Sequence, residues 1–199
     1  PAGEFYGQVR WDRVHVFWGD ERFVPPDHRD SNYRAAREAL LSRVPIPEEQ
    51  VHRVRTEFAT ARKSAEDYSH ALRLFFRLKT GELPRFDLIF LGMGEDGHTA
   101  SLFPGSAAVR ERERLVVSDK PEGQDAERVT LTVPVLNAAA RVVFLVSGES
   151  KAETLREVLE GSPRPDYLPA QAVRPEGDGA LLWLVDRSAA KLLACTDGL

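Results

Sequence analysis

Two stretches of this chain are apolar almost without interruption: Phe86-Asp87-Leu88-Ile89-Phe90-Leu91 and Val142-Val143-Phe144-Leu145-Val146. Continuous rather than alternating hydrophobicity in so short a run predicts a strand buried on both faces. Such strands belong to a parallel sheet covered by helices. The rest of the chain fits the same scheme. Val14-His15-Val16-Phe17-Trp18 is rich in β-branched and aromatic residues and stops at Gly19-Asp20, so it reads as a strand. Leu115-Val116-Val117, Val129–Val133 and Leu181–Val185 are further strand candidates. Helical patterns lie between them. Ser31 is an N-cap candidate for a helix over about Asn32–Arg43, with Ala35, Ala39 and Leu40 on one face and Pro45 and Pro47 beyond its end. Thr60 caps a longer helix whose apolar face is Ala61, Ala65, Tyr68, Leu72 and Phe75 or Phe76, closed by Gly81. Another spans roughly Glu149–Glu160, with Ala152, Leu155, Val158 and Leu159 inward and Gly161 as terminator, and Arg187–Leu193 is the last.

This alternation predicts an α/β sandwich with a mostly parallel sheet, built as a single domain over residues 1–199. Composition then removes several function classes. A lone cysteine, Cys195, excludes a disulfide framework and a four-cysteine zinc site, and it fits a reduced, cytoplasmic setting. No apolar run approaches the roughly 20 residues of a membrane span, and the opening Pro1-Ala2-Gly3-Glu4-Phe5 lacks the order of a signal peptide. A net charge of −4 without clustered basic residues argues against a nucleic-acid partner. Asp27-His28-Arg29-Asp30 has no second cluster to complete a metal site, and no H-x-x-x-H or C-x-x-C occurs, so no metal and no cofactor are expected.

In open parallel sheets, sites lie beyond the carboxyl ends of strands. That rule selects Gly19–Arg22, Gly92–His98 and Ser147–Lys151. Gly92-Met93-Gly94-Glu95-Asp96-Gly97 spells G-x-G-x-x-G, and Asp119 follows at the distance of a ribose-binding acid. A dinucleotide reading fails, because Pro104-Gly105 would stop the required helix within about two turns and Glu95-Asp96 would repel a pyrophosphate. The glycines instead suit a tight turn where a ligand approaches the backbone. Asp96-Gly97-His98 then puts an imidazole at the strand end, beside a carboxylate able to fix its tautomer, the pattern of a base that takes a proton from water. Gly148-Glu149-Ser150-Lys151 resembles a nucleophile elbow, but all five histidines precede Ser150, so the chain order of an α/β-hydrolase triad is broken. Lys151 in a first helical turn opposes the helix dipole, so it is either a solvated surface lysine or the partner of a bound anion. Arg22, in Gly19-Asp20-Glu21-Arg22, is either part of a local salt-bridge cluster or an anion clamp.

Taken in order, these segments resemble 6-phosphogluconolactonases, metal-free hydrolases of the pentose phosphate pathway. The resemblance rests on Trp18-Gly19-Asp20-Glu21-Arg22-Phe23-Val24-Pro25, Asp30-Ser31-Asn32-Tyr33 and the long block Phe86–Pro104. Arg128-Val129-Thr130-Leu131-Thr132, Pro134-Val135-Leu136-Asn137, Ser147–Lys151, Leu168-Pro169-Ala170 and Trp183-Leu184-Val185-Asp186 extend it over most of the chain. It implies a Rossmann-like three-layer sandwich shared with sugar-phosphate isomerases and a sugar-phosphate lactone as the small-molecule partner. It also implies His98 as general base with Asp96 beside it, Arg22, Arg128 and Lys151 as holders of the substrate phosphate, and Asp20 and Gly94 lining the same mouth. Backbone N–H groups of the Gly92–Gly97 loop are candidate oxyanion donors. The related glucosamine-6-phosphate deaminase/isomerases carry a catalytic glutamate five residues after the histidine, where this chain has Phe103. The alternatives are therefore a deaminase/isomerase-like enzyme and a non-catalytic sugar-phosphate-binding protein. The family begins with a strand and a Gly/Ser-rich phosphate loop that the resemblance places before Pro1. Some relatives are fused to a glucose-6-phosphate dehydrogenase, and the residues here neither require nor exclude that association.

Overall fold

The computed structural model describes residues 7–123 and 125–194. Its strands are β1 (Val16–Phe17), β2 (Asp20–Arg22), β3 (Val51–His52), β4 (Ile89–Leu91), β5 (Val116–Asp119), β6 (Arg128–Leu131), β7 (Arg141–Val146) and β8 (Ala180–Val185). Its α-helices are α1 (Asn32–Ala39), α2 (Ala61–Phe76), α3 (Ala107–Arg110), α4 (Val133–Asn137) and α5 (Ala152–Glu160). β1 and β3 pair in parallel, as do β4, β7 and β8 in that order. The expected α/β class with parallel pairing is what forms.

A third sheet was not foreseen. β2, β6 and β5 form an antiparallel unit in which Arg22 lies opposite Arg128 and Asp20 opposite Thr130. Asp20-Glu21-Arg22 is thus a strand rather than a strand-end loop. β6 stops at Leu131 because Pro134, in the first turn of α4, suits a helix start where its missing N–H is not needed.

The helix signals hold at their starts. The Ser31 hydroxyl accepts the Arg34 N–H and the Thr60 hydroxyl accepts the Lys63 N–H, each satisfying a donor of the first turn. Their ends and faces differ from expectation. α1 stops at Ala39 and continues only as a 3₁₀ turn, Leu41–Arg43. It meets the core through Tyr33 and Ala36, while Ala35, Ala39 and Leu40 are exposed. α2 ends at Arg77 in the left-handed conformation, four residues before Gly81. Leu159 of α5 faces solvent rather than the core. Arg187–Leu193 forms turns rather than a helix, started by the Asp186 carboxylate accepting the Ala189 N–H at 2.7 Å.

The core joins both kinds of sheet. Leu72, Leu102, Val129, Leu136, Phe144 and Leu155 are fully enclosed, and Phe144 stacks on Trp183 with ring centroids 3.9 Å apart. Truncating a buried phenyl ring of this kind costs about 3–5 kcal/mol. Among the described residues, one face of the β4–β7–β8 sheet packs into the core, and the other is covered only at Val143 in the central strand. Ile89, Leu91, Val142, Phe144 and Val146 point inward, whereas Leu88, Phe90, Leu145, Leu182 and Leu184 are exposed on the other side. The burial expected on both faces is met on one face among the described residues. A continuous apolar run marks both faces as apolar without saying which is covered.

One buried side chain fixes where the site begins. The Tyr68 hydroxyl accepts the Trp18 N–H at 2.9 Å and donates to the Trp18 carbonyl at 3.1 Å, tying α2 to the end of β1 just before Gly19-Asp20. Losing that pair would orphan two buried backbone groups, at about 1–3 kcal/mol each.

Candidate active site

A cavity of about 400 Å³ opens where β1 and β4 end, and Asp20, Arg22, Gly94, His98 and Lys151 all line it. Asp96 touches His98 without lining the cavity, and Arg128 flanks Arg22 across the β2–β6 ladder. Seven residues selected from sequence thus converge on one mouth, five as its walls.

The histidine wall is made by a single loop. The His98 ring Nδ1 lies 2.6 Å from Asp96 Oδ1, and the same oxygen accepts the His98 backbone N–H at 3.0 Å. Burial alone would raise the Asp96 carboxyl. The two hydrogen bonds and the charge of His98 outweigh it, holding Asp96 below the ordinary carboxylate value and hence ionised. The loop closes on itself, because the Gly94 N–H donates to the His98 carbonyl and the Gly97 N–H to the Gly94 carbonyl. Those two N–H groups are therefore committed within the loop, which removes them from the candidate oxyanion donors.

Gly94 does more than line the mouth. A Cβ there would sit 2.5 Å from Asp96 Oδ1 and closer still to the His98 ring, so the His98–Asp96 pair rests where a side chain would be. Gly97 has φ +78°, and a Cβ would meet Leu168 at 2.8 Å. Leu168-Pro169-Ala170 packs on the outside of this loop, where the Ala170 N–H donates to the Gly97 carbonyl. On the α5 side, the Thr154 hydroxyl donates to the Glu95 carbonyl at 2.5 Å, and the Lys151 ammonium stands 3.7 Å from Glu95.

The opposite wall is assembled from distant segments. Asp20 is half-buried at the cavity wall, and desolvation there pushes its carboxyl up. A hydrogen bond from Ser101 at 2.6 Å and the charges of Arg22, Arg128 and His98 partly offset that push. Asn32 at the start of α1 donates to both the Asp20 carbonyl and its carboxylate. Glu21, on the other face of β2, accepts the backbone N–H groups of Arg22, Asn32 and Tyr33 and the Ser31 hydroxyl. Its carboxylate thus fills the N-terminus of α1 and locks β2 to it, which points Asp20 and Arg22 at the cavity. Arg22 Nη1 donates to the Asp30 carbonyl at 2.7 Å. Arg128 is pushed below the usual guanidinium value by burial and by the neighbouring Arg22 charge, an environment that an anion would relieve.

Residues not selected from sequence also serve the site. Asn32 and Ser101 hold Asp20, and Phe103 stacks on the His98 ring at 4.3 Å between centroids. Asn32 and Ser101 lie inside motif blocks, but their partners are 12 and 81 residues away, so spacing carried no sign of them. Among the described residues no group of three or more His, Cys, Asp and Glu is placed to hold a metal. None of their helices is long and apolar enough to cross a membrane.

The family described as glucosamine-6-phosphate isomerases/6-phosphogluconolactonase matches residues 2–183. The chain belongs to this family. It is 45% identical over 183 residues to a 6-phosphogluconolactonase of Synechocystis, covering 92% of this chain and 75% of that one. It is 47% identical over 195 residues to the human 6-phosphogluconolactonase, covering 97% and 72%. A solved 6-phosphogluconolactonase from Trypanosoma cruzi superposes with a TM-score of 0.78 at 34% identity, covering 92% of this chain and 73% of that one. In this chain the block from Phe86 to Pro104 supplies the histidine wall.

Proposed function

We propose that this chain hydrolyses 6-phospho-D-glucono-1,5-lactone to 6-phosphogluconate in the pentose phosphate pathway, with His98 as the general base. The observation that carries the reading is the 2.6 Å contact between His98 and an ionised Asp96 at the wall of a cavity that also holds Arg22 and Lys151. Asp96 accepts the Nδ1 proton, which leaves Nε2 free to accept one. A water molecule held at Nε2 loses its proton to the ring as its oxygen bonds to the lactone carbonyl carbon. The tetrahedral intermediate then collapses, the bond from that carbon to the ring oxygen breaks, and the leaving oxygen takes the proton back from the imidazolium. The acid product ionises to the carboxylate. Help of this kind is worth about 10²- to 10⁴-fold, which suits an ester that also hydrolyses unaided.

Arg22, Arg128 and Lys151 supply the charge that would hold the substrate phosphate, and this remote binding energy positions the lactone over His98. Asp20 and Gly94 shape the space between the two ends. Phe103, five residues after His98, has no proton to exchange, which separates this chain from a deaminase reading. The test is a direct assay of the purified chain. Lactone consumption above the spontaneous rate, without ammonia release from glucosamine 6-phosphate, is expected. Ammonia release without lactone hydrolysis would overturn the proposal.

A further inference from the structure

The contact between Phe103 and His98 follows from the backbone that joins them. Thr99 and Leu102 form an antiparallel bridge, closed by the Leu102 N–H donating to the Thr99 carbonyl at 2.9 Å. The residues just outside such a bridge, His98 and Phe103, are the next cross-strand pair, and paired side chains on one face meet. Their rings stack with centroids 4.3 Å apart and planes at 23°. The turn that brings them together is held against its own strain. Ala100 has φ +48°, a left-handed conformation that is strained for a non-glycine residue. Ser101 is tied to Asp20 at 2.6 Å, and Leu102 is completely buried in the core. These anchors fix the turn, and the turn fixes Phe103.

We propose that Phe103 is a positioning residue that sets the plane of the His98 imidazole. The ring is constrained on three sides: Asp96 at Nδ1, the Gly94 backbone where a Cβ would otherwise stand, and Phe103 across its face. The free edge is the one that meets water and substrate. A phenyl face also attracts the imidazolium formed when His98 takes a proton, through the negative quadrupole of the ring. A branched aliphatic side chain fills similar volume but offers no flat face, so it leaves the imidazole free to tilt away from its near-attack alignment.

This inference rests on the reading of His98 as base, and the experiment separates the two. Steady-state lactone hydrolysis is measured for wild type, Phe103→Leu, Phe103→Tyr and His98→Ala, with thermal unfolding of each. Phe103→Leu is expected to lower kcat roughly tenfold to a hundredfold with KM little changed, since misplacing a reacting group by about 1 Å costs rate of that order. Phe103→Tyr, which restores the flat ring, is expected to stay within about twofold of wild type, as its ring stacks in the same way. In proton NMR, a downfield Nδ1 proton from the short bond to Asp96 should persist in Phe103→Tyr and broaden in Phe103→Leu. If Phe103→Leu loses its thermal transition, Phe103→Met takes its place with the same expectations. Wild-type kcat in the aliphatic variant, or an equal fall in Leu and Tyr, overturns the positioning role. Undiminished turnover in His98→Ala overturns the underlying reading instead.

Discussion

The wall of the cavity that carries His98 is made within one short loop, whereas the wall that carries Asp20 and Arg22 is assembled from segments far apart in the chain. His98 takes its orientation from Gly94, Asp96 and Phe103, all within five residues of it. Asp20 takes its own from Asn32 and Ser101, and Arg22 is aimed by a strand that Glu21 fastens to the start of α1. The first wall draws its imidazole, carboxylate and stacked ring from one stretch of chain, which Ser101 joins to Asp20 of the second. The second depends on tertiary packing and concentrates charge: Asp20 beside Arg22 and Arg128, with Lys151 across the mouth. On the proposed roles, chemistry and binding belong to different walls, and substitutions in each should move different kinetic constants.

The sharpest way to break this division is at Gly94. Gly94→Ala places a methyl group where the His98–Asp96 pair rests, so kcat should fall about a hundredfold or more while the thermal transition is largely kept. A normal kcat would show that the pair has freedom the loop does not suggest. On the other wall, Arg22→Ala removes the guanidinium proposed to hold the substrate phosphate. KM should rise about tenfold to a hundredfold, the equivalent of roughly 1.5–3 kcal/mol, with kcat little changed. A fall in kcat alone would place Arg22 in the chemistry instead.

The two walls should also differ in acid titration, the smallest of these effects. Asp96 is held below the ordinary carboxylate value by its bonds to His98, whereas burial pushes Asp20 above it. Carboxyl carbon resonances followed by NMR should therefore have midpoints on opposite sides of that value. The signs for stability are opposite as well. The Asp96 contribution is present above the unfolded value and is lost as pH falls through the lower folded one. The Asp20 contribution is present below the unfolded value and is lost as pH rises through the higher folded one. Midpoints in the reverse order would undo the contrast.

The same difference explains what could be read from the sequence. The histidine wall was legible because its parts are neighbours in the chain, and a glycine-rich strand end with Asp96 and His98 announces itself by spacing. Of the parallel strands, β1, β4, β7 and β8 were legible from their apolar runs and the two-residue β3 was not, while the starts of α1 and α2 were legible from Ser31 and Thr60. β2 was not legible, because Asp20-Glu21-Arg22 carries no apolar period at all. Glu21 is buried against backbone donors of α1 rather than in an apolar layer, and only the fold brings those donors to it. The open side of the β4–β7–β8 sheet was hidden for another reason. Phe90 and Leu91 look alike in sequence, yet one is 61% exposed and the other 5%.

The central claim is that acceleration comes from the histidine wall and substrate binding from the charged wall. Initial rates of 6-phosphogluconolactone hydrolysis by His98→Gln, measured beside calorimetric binding of 6-phosphogluconate, test it most directly. The account predicts hydrolysis at the spontaneous rate with product binding retained. Turnover equal to that of the unaltered chain would contradict it.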